Sequence, residues 1–286
     1  MNEELEKRLI SEVSSNYRKL RDIKEQTENI CLAAIKNEPK AIIYVNNKDE
    51  DFYLKAIRVN PFVLMHINKQ TENMCIAAVN HRNVLQYVKN QTPKICLAAV
   101  KKVPSSLQHV ECQTEEMCLE AVSADGYNLQ YVKNQTEDVC LAAVKQDGRA
   151  IRFMKDQTER VCLAAVNNNF TAIQYINNKT ISICKAAINK DINSMMSIKD
   201  QSYDICKFAL EKNIKSFYLI KEKNKTEEVC IEALKIMFES KNVDVNILNY
   251  VLNSFNNEKI KDLYVKYNFW KYIKLNENDL IYSMLR

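Results

Sequence analysis

Ten cysteines and three histidines are the residues of this 286-residue chain whose chemistry would be easiest to recognise. Thiols form disulfides when their Cα atoms come within about 7 Å, and bind zinc when paired ligands stand roughly two to four residues apart. No such ligand spacing occurs, Cys112 and Cys118, six residues apart, coming nearest, and cysteines at equivalent places in stacked units should stand about one helix packing distance apart. His66, His81 and His109 lack a second ligand at helical spacing and a nucleophile in register. His109 falls where the chain elsewhere places an aromatic ring, and reads as a packing residue. With only two glycines there is no phosphate loop, dinucleotide fingerprint or nucleophile elbow. The expectation is a chain without catalytic residues, cofactor or metal. Its cysteines should be small buried hydrophobes kept reduced, with the off-register Cys112 an exposed thiol.

Chemistry of another kind is suggested by three rows of side chains that recur at fixed intervals. An aromatic row comprises Tyr44, Tyr87, His109, Tyr131, Phe153 and Tyr175, and a row before it carries Gln86, Gln108, Gln130, Arg152 and Gln174. The third is largely basic: Lys89, Lys133, Lys155, Lys199 and Lys221. Polar readers beside rings, backed by lysine once per unit, are what helical-repeat RNA readers use to take one base per unit. Two facts weigh the other way. Tyrosine at helical spacing ordinarily packs on the next unit, and Glu115, Glu137 and Glu159 stand where they would neutralise the lysines. A protein-binding or structural surface is therefore the leading reading, and single-stranded RNA or DNA the competing one.

The rows exist because the chain repeats. Cys75, Cys96, Cys118, Cys140, Cys162, Cys184 and Cys206 are separated once by 21 residues and thereafter by 22. Cys31 lies 44 before Cys75, Tyr53 fills the slot between them, and Cys230 follows Cys206 by 24, making about ten units. The clearest is QTEDVCLAAVKQDGRAIRFMKD, from Gln135. Thr at the head of each unit, usually with Glu after it, is a helix N-cap with acids in the first turn. The run Val139 to Val144 is apolar all round and must be covered on several sides, its paired alanines allowing close approach. A turn slot follows, holding Asp125-Gly126, Asp147-Gly148, Pro39, Pro104 or Asn83, where a left-handed or fixed φ is expected. A second helix of two turns, such as Leu129 to Lys133, then turns aliphatic residues at i and i+3 inward.

Neither helix is long enough to stand alone in water. The expectation is an all-α fold, a right-handed α-solenoid rising about 8–10 Å per unit into a curved rod of order 90 Å. Residues 1–25 should form an N-terminal cap helix, 26–242 the repeats, and 243–286 a helical cap containing Tyr264, Tyr267, Phe269, Trp270 and Tyr272. No run of about 18 apolar residues and no signal-peptide core occur, so a cytoplasmic protein without membrane contact is expected. Four of the five N-x-[ST] triplets fall where one repeat meets the next and read as accidents of repetition. A net charge of +5 is modest for a dedicated nucleic-acid binder.

The consensus T-x-x-x-C-L-A-A-V followed by L-Q-Y-V resembles an uncharacterised tandem-repeat family of units of about 22 residues, found in large DNA viruses, bacteria and some intracellular pathogens. The likeness runs over roughly residues 26 to 255, and the units centred on Tyr53 and Cys230 depart from it. The resemblance implies a helical repeat without an established activity and supplies no catalytic residues. Together with the architecture, it points to a non-enzymatic scaffold that binds a protein partner, with a virus- or pathogen-encoded inhibitor of a host or defence complex as the sharpest form.

Overall fold

A computed structural model of the chain describes residues 2–255, 262 and 266. It is an all-α solenoid of short repeats in two compact units, Met1–Lys155 and Asp156–Arg286. The first contains α1 (Glu3–Ser15), α2 (Glu28–Asn37), α3 (Glu50–Val59), α4 (Glu72–Val79), α5 (Pro93–Lys102), α6 (Glu115–Ala124) and α7 (Glu137–Gln146). The second contains α8 (Glu159–Asn168), α9 (Ile181–Lys190), α10 (Tyr203–Lys212), α11 (Glu227–Glu239) and α12 (Val245–Ser254). Within residues 1–25, α1 is followed by a 3₁₀ helix, Tyr17–Asp22, and in the second unit α12 packs Tyr250 edge-on against Phe217. The aromatic residues 264 to 272 assigned to the C-terminal cap lie outside the described residues.

Each α-helix that begins with threonine is capped by it, whereas Ser202 at the head of α10 makes no such bond. The threonine hydroxyl accepts from the amide three residues on, as Thr136 does from Val139 at 3.4 Å, and Asp49 serves α3 in the same way. That hydroxyl also donates backward to the preceding repeat: Thr71 to Glu50 at 2.8 Å, Thr92 to Glu72 at 3.1 Å and Thr136 to Glu115 at 2.9 Å. The first-turn acids therefore complement the helix dipole and tie neighbouring N-termini together, so the helices run parallel.

From the Cys31 unit to the Cys206 unit the second helix is 3₁₀, six residues long in most units, as in Gly126–Tyr131 and Gly148–Phe153, whereas α11 of the Cys230 unit is followed by the α-helix α12. At about 2.0 Å per residue, six 3₁₀ residues run nearly as far as the ten-residue α-helix beside them, which advances about 1.5 Å per residue. Three residues per turn also puts i and i+3 in line, which is why Leu129 and Val132 both point inward and are buried. The one 21-residue interval is absorbed by shortening both elements, α4 to eight residues and its partner to Leu85–Tyr87.

The turn between them departs from the expected chemistry. Neither glycine has a positive φ; among the described residues only Lys241 does. Asp125 instead ends α6 in extended backbone, φ −153°, and its carboxylate accepts from the Tyr127 amide at 2.9 Å, starting the 3₁₀ helix directly. Gly126 is required by a close approach. A Cβ there would stand 2.6 Å from the Ala143 carbonyl oxygen of the next repeat, and its amide donates to Gln146 Oε1 at 2.8 Å. Because backbone cannot swing aside, Gly126→Ala should cost about 1–3 kcal/mol, the usual range for overpacking; a denaturant midpoint equal to wild type would refute this account.

The core is one stripe per helix: residues such as Val139, Cys140, Ala143 and Val144 face the 3₁₀ layer. Of the paired alanines only the second is fully buried, Ala143 at closest approach and Ala142 half-buried on the flank.

Candidate functional site

The polar residue that organises each repeat is one that the sequence presents merely as the end of a turn, the glutamine before the capping threonine. Gln113 Nε2 donates to the Leu107 carbonyl of the preceding repeat at 3.1 Å and to the Tyr131 carbonyl of its own at 2.8 Å. Its Oε1 accepts from the Lys133 amide at 2.9 Å and faces the Cys118 thiol at 3.7 Å. Gln26 and Gln70 repeat all four contacts, and in the second unit Gln201 binds the Met195 and Leu219 carbonyls and the Lys221 amide. A side-chain amide with two donors and an acceptor satisfies the 3₁₀ termini of two neighbouring repeats. Its recurrence beside cysteine was visible in the sequence; its partners, six and eighteen residues away, were not.

Nine cysteines are buried and free, and Cys112 is free and exposed. Burial pushes the Cys31 and Cys206 thiols up to about 11 and Cys230 up to about 12, and raises Cys75, Cys96, Cys118, Cys162 and Cys184 as well. These are thiols held away from the thiolate form that nucleophilic or metal chemistry needs.

The three rows lie on and beside the 3₁₀ helices. In the first unit Gln86, Gln108, Gln130 and Arg152 are exposed, while Tyr87, His109, Tyr131 and Phe153 are half-buried; Gln174 and Tyr175 repeat this in the second. The rings pack on the preceding repeat, with Phe62 edge-on to Tyr87 at 6.2 Å and Tyr127 edge-on to Phe153 at 5.6 Å. Arg152 lies over both Tyr127 and Phe153. His66 occupies the same ring slot in the Tyr53 unit, where burial holds its imidazole below the ordinary range.

The lysine row differs from expectation. Lys133 Nζ donates to the Val110 and Glu111 carbonyls at 2.9 and 2.7 Å, Lys89 to Asn68 and Lys155 to Lys133 in the same way, and Lys221 to Ile198 and Lys199. The glutamates meant to neutralise them are turned to the capping threonines, Glu115 to Thr136 and Glu159 to Thr180. These four lysines bind the ends of the preceding 3₁₀ helix, where orphan carbonyls lie within reach, whereas Lys199 is exposed.

The signal missing from the sequence reading is at the ends of the glutamine row. The equivalent outward position carries Ile43 and Met65 in the first unit, 45% and 44% exposed, and Met196 and Tyr218 in the second, 65% and 53% exposed.

Two stretches of the chain, residues 27–71 and 114–158, match the profile of a family described as a domain of unknown function (DUF4116). Each runs from one capping threonine to the cap two repeats on, Thr27 to Thr71 past Asp49 and Thr114 to Thr158 past Thr136, and so takes in two repeats, about 44 residues. Over these two stretches the chain is similar to an uncharacterised tandem-repeat family. In DUF4116 terms the repeating block is thus a pair of helix and 3₁₀ units, with Cys31 and Tyr53 heading the pair in the first match and Cys118 and Cys140 in the second. No curated protein and no solved structure matches the chain. Among the described residues no helix is long and apolar enough to cross a membrane.

Proposed function

We propose that the chain is a non-enzymatic scaffold that binds a protein through the outward positions of its 3₁₀ helices. The observation that carries this reading is the exposure of Ile43, Met65, Met196 and Tyr218 at the same slot of different repeats. Large apolar side chains left in water at equivalent positions mark surfaces that a partner covers. The surrounding polar groups support it, because Gln26, Gln70, Gln113 and Gln201 and four of the five lysines of the row are engaged within the stack, leaving Gln86, Gln108 and Gln130 as a polar border. A repeated face of this kind suits an inhibitor that covers a host or defence complex by occlusion rather than by chemistry.

The competing reading, a single-stranded RNA or DNA reader, draws on the exposed Gln130 and Arg152 beside their rings. It is less well supported, since bases need open ring faces, and here the rings are half-buried and four of the five lysines of the row are bound to backbone.

Affinity purification from cells that make the protein should recover a stoichiometric partner with wild type and lose it with Ile43→Ser, Met65→Ser, Met196→Ser. Retention by the triple variant, or capture of nothing at moderate salt, would count against the proposal. Binding to mixed oligonucleotides that weakens steeply with salt would favour the nucleic-acid reading.

A further inference from the structure

At four junctions of the stack the chain supplies its own ammonium group to the end of a 3₁₀ helix. Lys89, Lys133, Lys155 and Lys221 each stand second after a 3₁₀ helix and reach the carbonyls that follow the 3₁₀ helix of the preceding repeat. Between the Cys31 and Tyr53 units the same slot holds Asn46, which is too short for that reach. By register the Ile23 and Lys24 carbonyls there correspond to those of Val110 and Glu111, which Lys133 binds at 2.9 and 2.7 Å. Among the described residues no side chain donates to either. The cleft at the junction differs accordingly: about 170 Å³ beside Lys133 and about 410 Å³ beside Asn46.

The wider cleft is lined for a cation with an aliphatic body. Glu25, Glu28, Asp49 and Asp51 line it, together with the buried Cys31, Val45 and Phe52. Against the four carboxylates stand the exposed Lys24 and Lys55, the latter paired with Glu28 and Asp51 at 2.9 and 2.8 Å, so two negative charges stay uncompensated. The dipoles of α2 and α3 would repel a cation from their N-termini, but their amides are taken by the caps, Ile30 by Thr27 and Phe52 by Asp49. A short residue in the lysine slot is not enough by itself. Asn68 and Asn177 also occupy it, but the positions equivalent to the four acids hold one carboxylate in the first case, Glu50, and two in the second, Asp156 and Glu159.

A metal ion wants several oxygen ligands converging at short range, and among the described residues no three acidic, histidine or cysteine side chains converge in that way. An ammonium group asks less: two carbonyls receive that of Lys133, and methylenes gain from apolar contact such as Val45 and Phe52 offer. Two uncompensated charges call for more than one such group, and the volume falls within the about 300–1,000 Å³ of small-molecule pockets. We propose that this cleft binds an aliphatic polyamine, with one ammonium group at the Ile23 and Lys24 carbonyls, in the place that Lys133 fills in its own junction, another at Glu25 and Asp49, and the methylene chain over Val45 and Phe52. The site is independent of the protein-binding surface.

Isothermal titration calorimetry of the whole chain with spermidine tests it, with butylamine, Mg²⁺ and a blocked Ala-Lys-Ala peptide as competing probes. Spermidine should bind with a single equivalent per chain and more tightly than any of the three. Asn46→Lys should weaken spermidine by about tenfold or more, because the new side chain brings its own ammonium to the two carbonyls. Its urea midpoint should be no lower than that of wild type, since lysine is what four other junctions use. Glu25→Gln with Asp49→Asn should also weaken spermidine by about tenfold or more; asparagine still caps α3, so this pair keeps the test open should Asn46→Lys disturb folding. No binding of spermidine to wild type, or undiminished binding by either folded variant, would overturn the proposal. So would Mg²⁺ or butylamine binding as tightly, which would leave only the charge, and tighter binding of the peptide, which would assign the cleft to a lysine of another protein.

Discussion

Stability should fall steeply as pH rises above about 9, where the thiols of the unfolded chain ionise. Eight buried thiols have folded pKa values raised by burial, to about 11 for Cys31 and Cys206 and about 12 for Cys230. In the unfolded chain the same thiols ionise near 8.5. Above that value the unfolded state binds fewer protons than the folded state, so stability falls as pH rises; below it the contribution is intact. Each of the three thiols raised to about 11 or 12 lowers the unfolding free energy by up to about 1.4 kcal/mol per pH unit, and the other five act in the same direction, against the about 5–15 kcal/mol that holds a domain folded. Circular dichroism across an alkaline titration should show cooperative loss of helix near pH 10, coincident with thiolate absorbance. Alanine at Cys118 and Cys162 should flatten the slope in proportion to the two thiols removed. At neutral pH a thiol reagent should label Cys112 at once and the other nine only on unfolding. Rapid labelling of several thiols in the folded protein would contradict this.

Replacing Gln113 by leucine should cost about 3–5 kcal/mol. The substitution leaves the Leu107 and Tyr131 carbonyls and the Lys133 amide without their partner, and each buried polar group left unmade costs about 1–3 kcal/mol, with water able to recover part at this half-buried site. Gln113→Lys should lose roughly half as much by the same reckoning, because the chain itself uses lysine in this slot: Lys48 Nζ donates to the Ile42 carbonyl at 3.3 Å, and Lys179 to that of Ile176. Urea unfolding of the two variants measures both numbers. A leucine variant as stable as wild type would show that the glutamines do not join the repeats.

What the residues announce on their own is whatever depends on near neighbours in the chain. A 22-residue period, threonine caps, the burial of cysteine and the inward Leu129 and Val132 follow from helical spacing and from orphan amides that a local side chain can reach. What the order of residues could not announce depends on which atoms of the next repeat come close. Gly126 looked like a left-handed turn and is a steric allowance for Ala143; Gln113 looked like loop and is the joint between repeats; the lysine row looked neutralised by glutamate, and four of its five members are bound to backbone. Exposure of Ile43 and Met65 was equally out of reach, because the same slot holds glutamine in the middle repeats and nothing local distinguishes outward from inward there. Periodicity arises along the chain, whereas satisfaction of hydrogen bonds and access to water are settled between repeats, where residues about twenty positions apart meet.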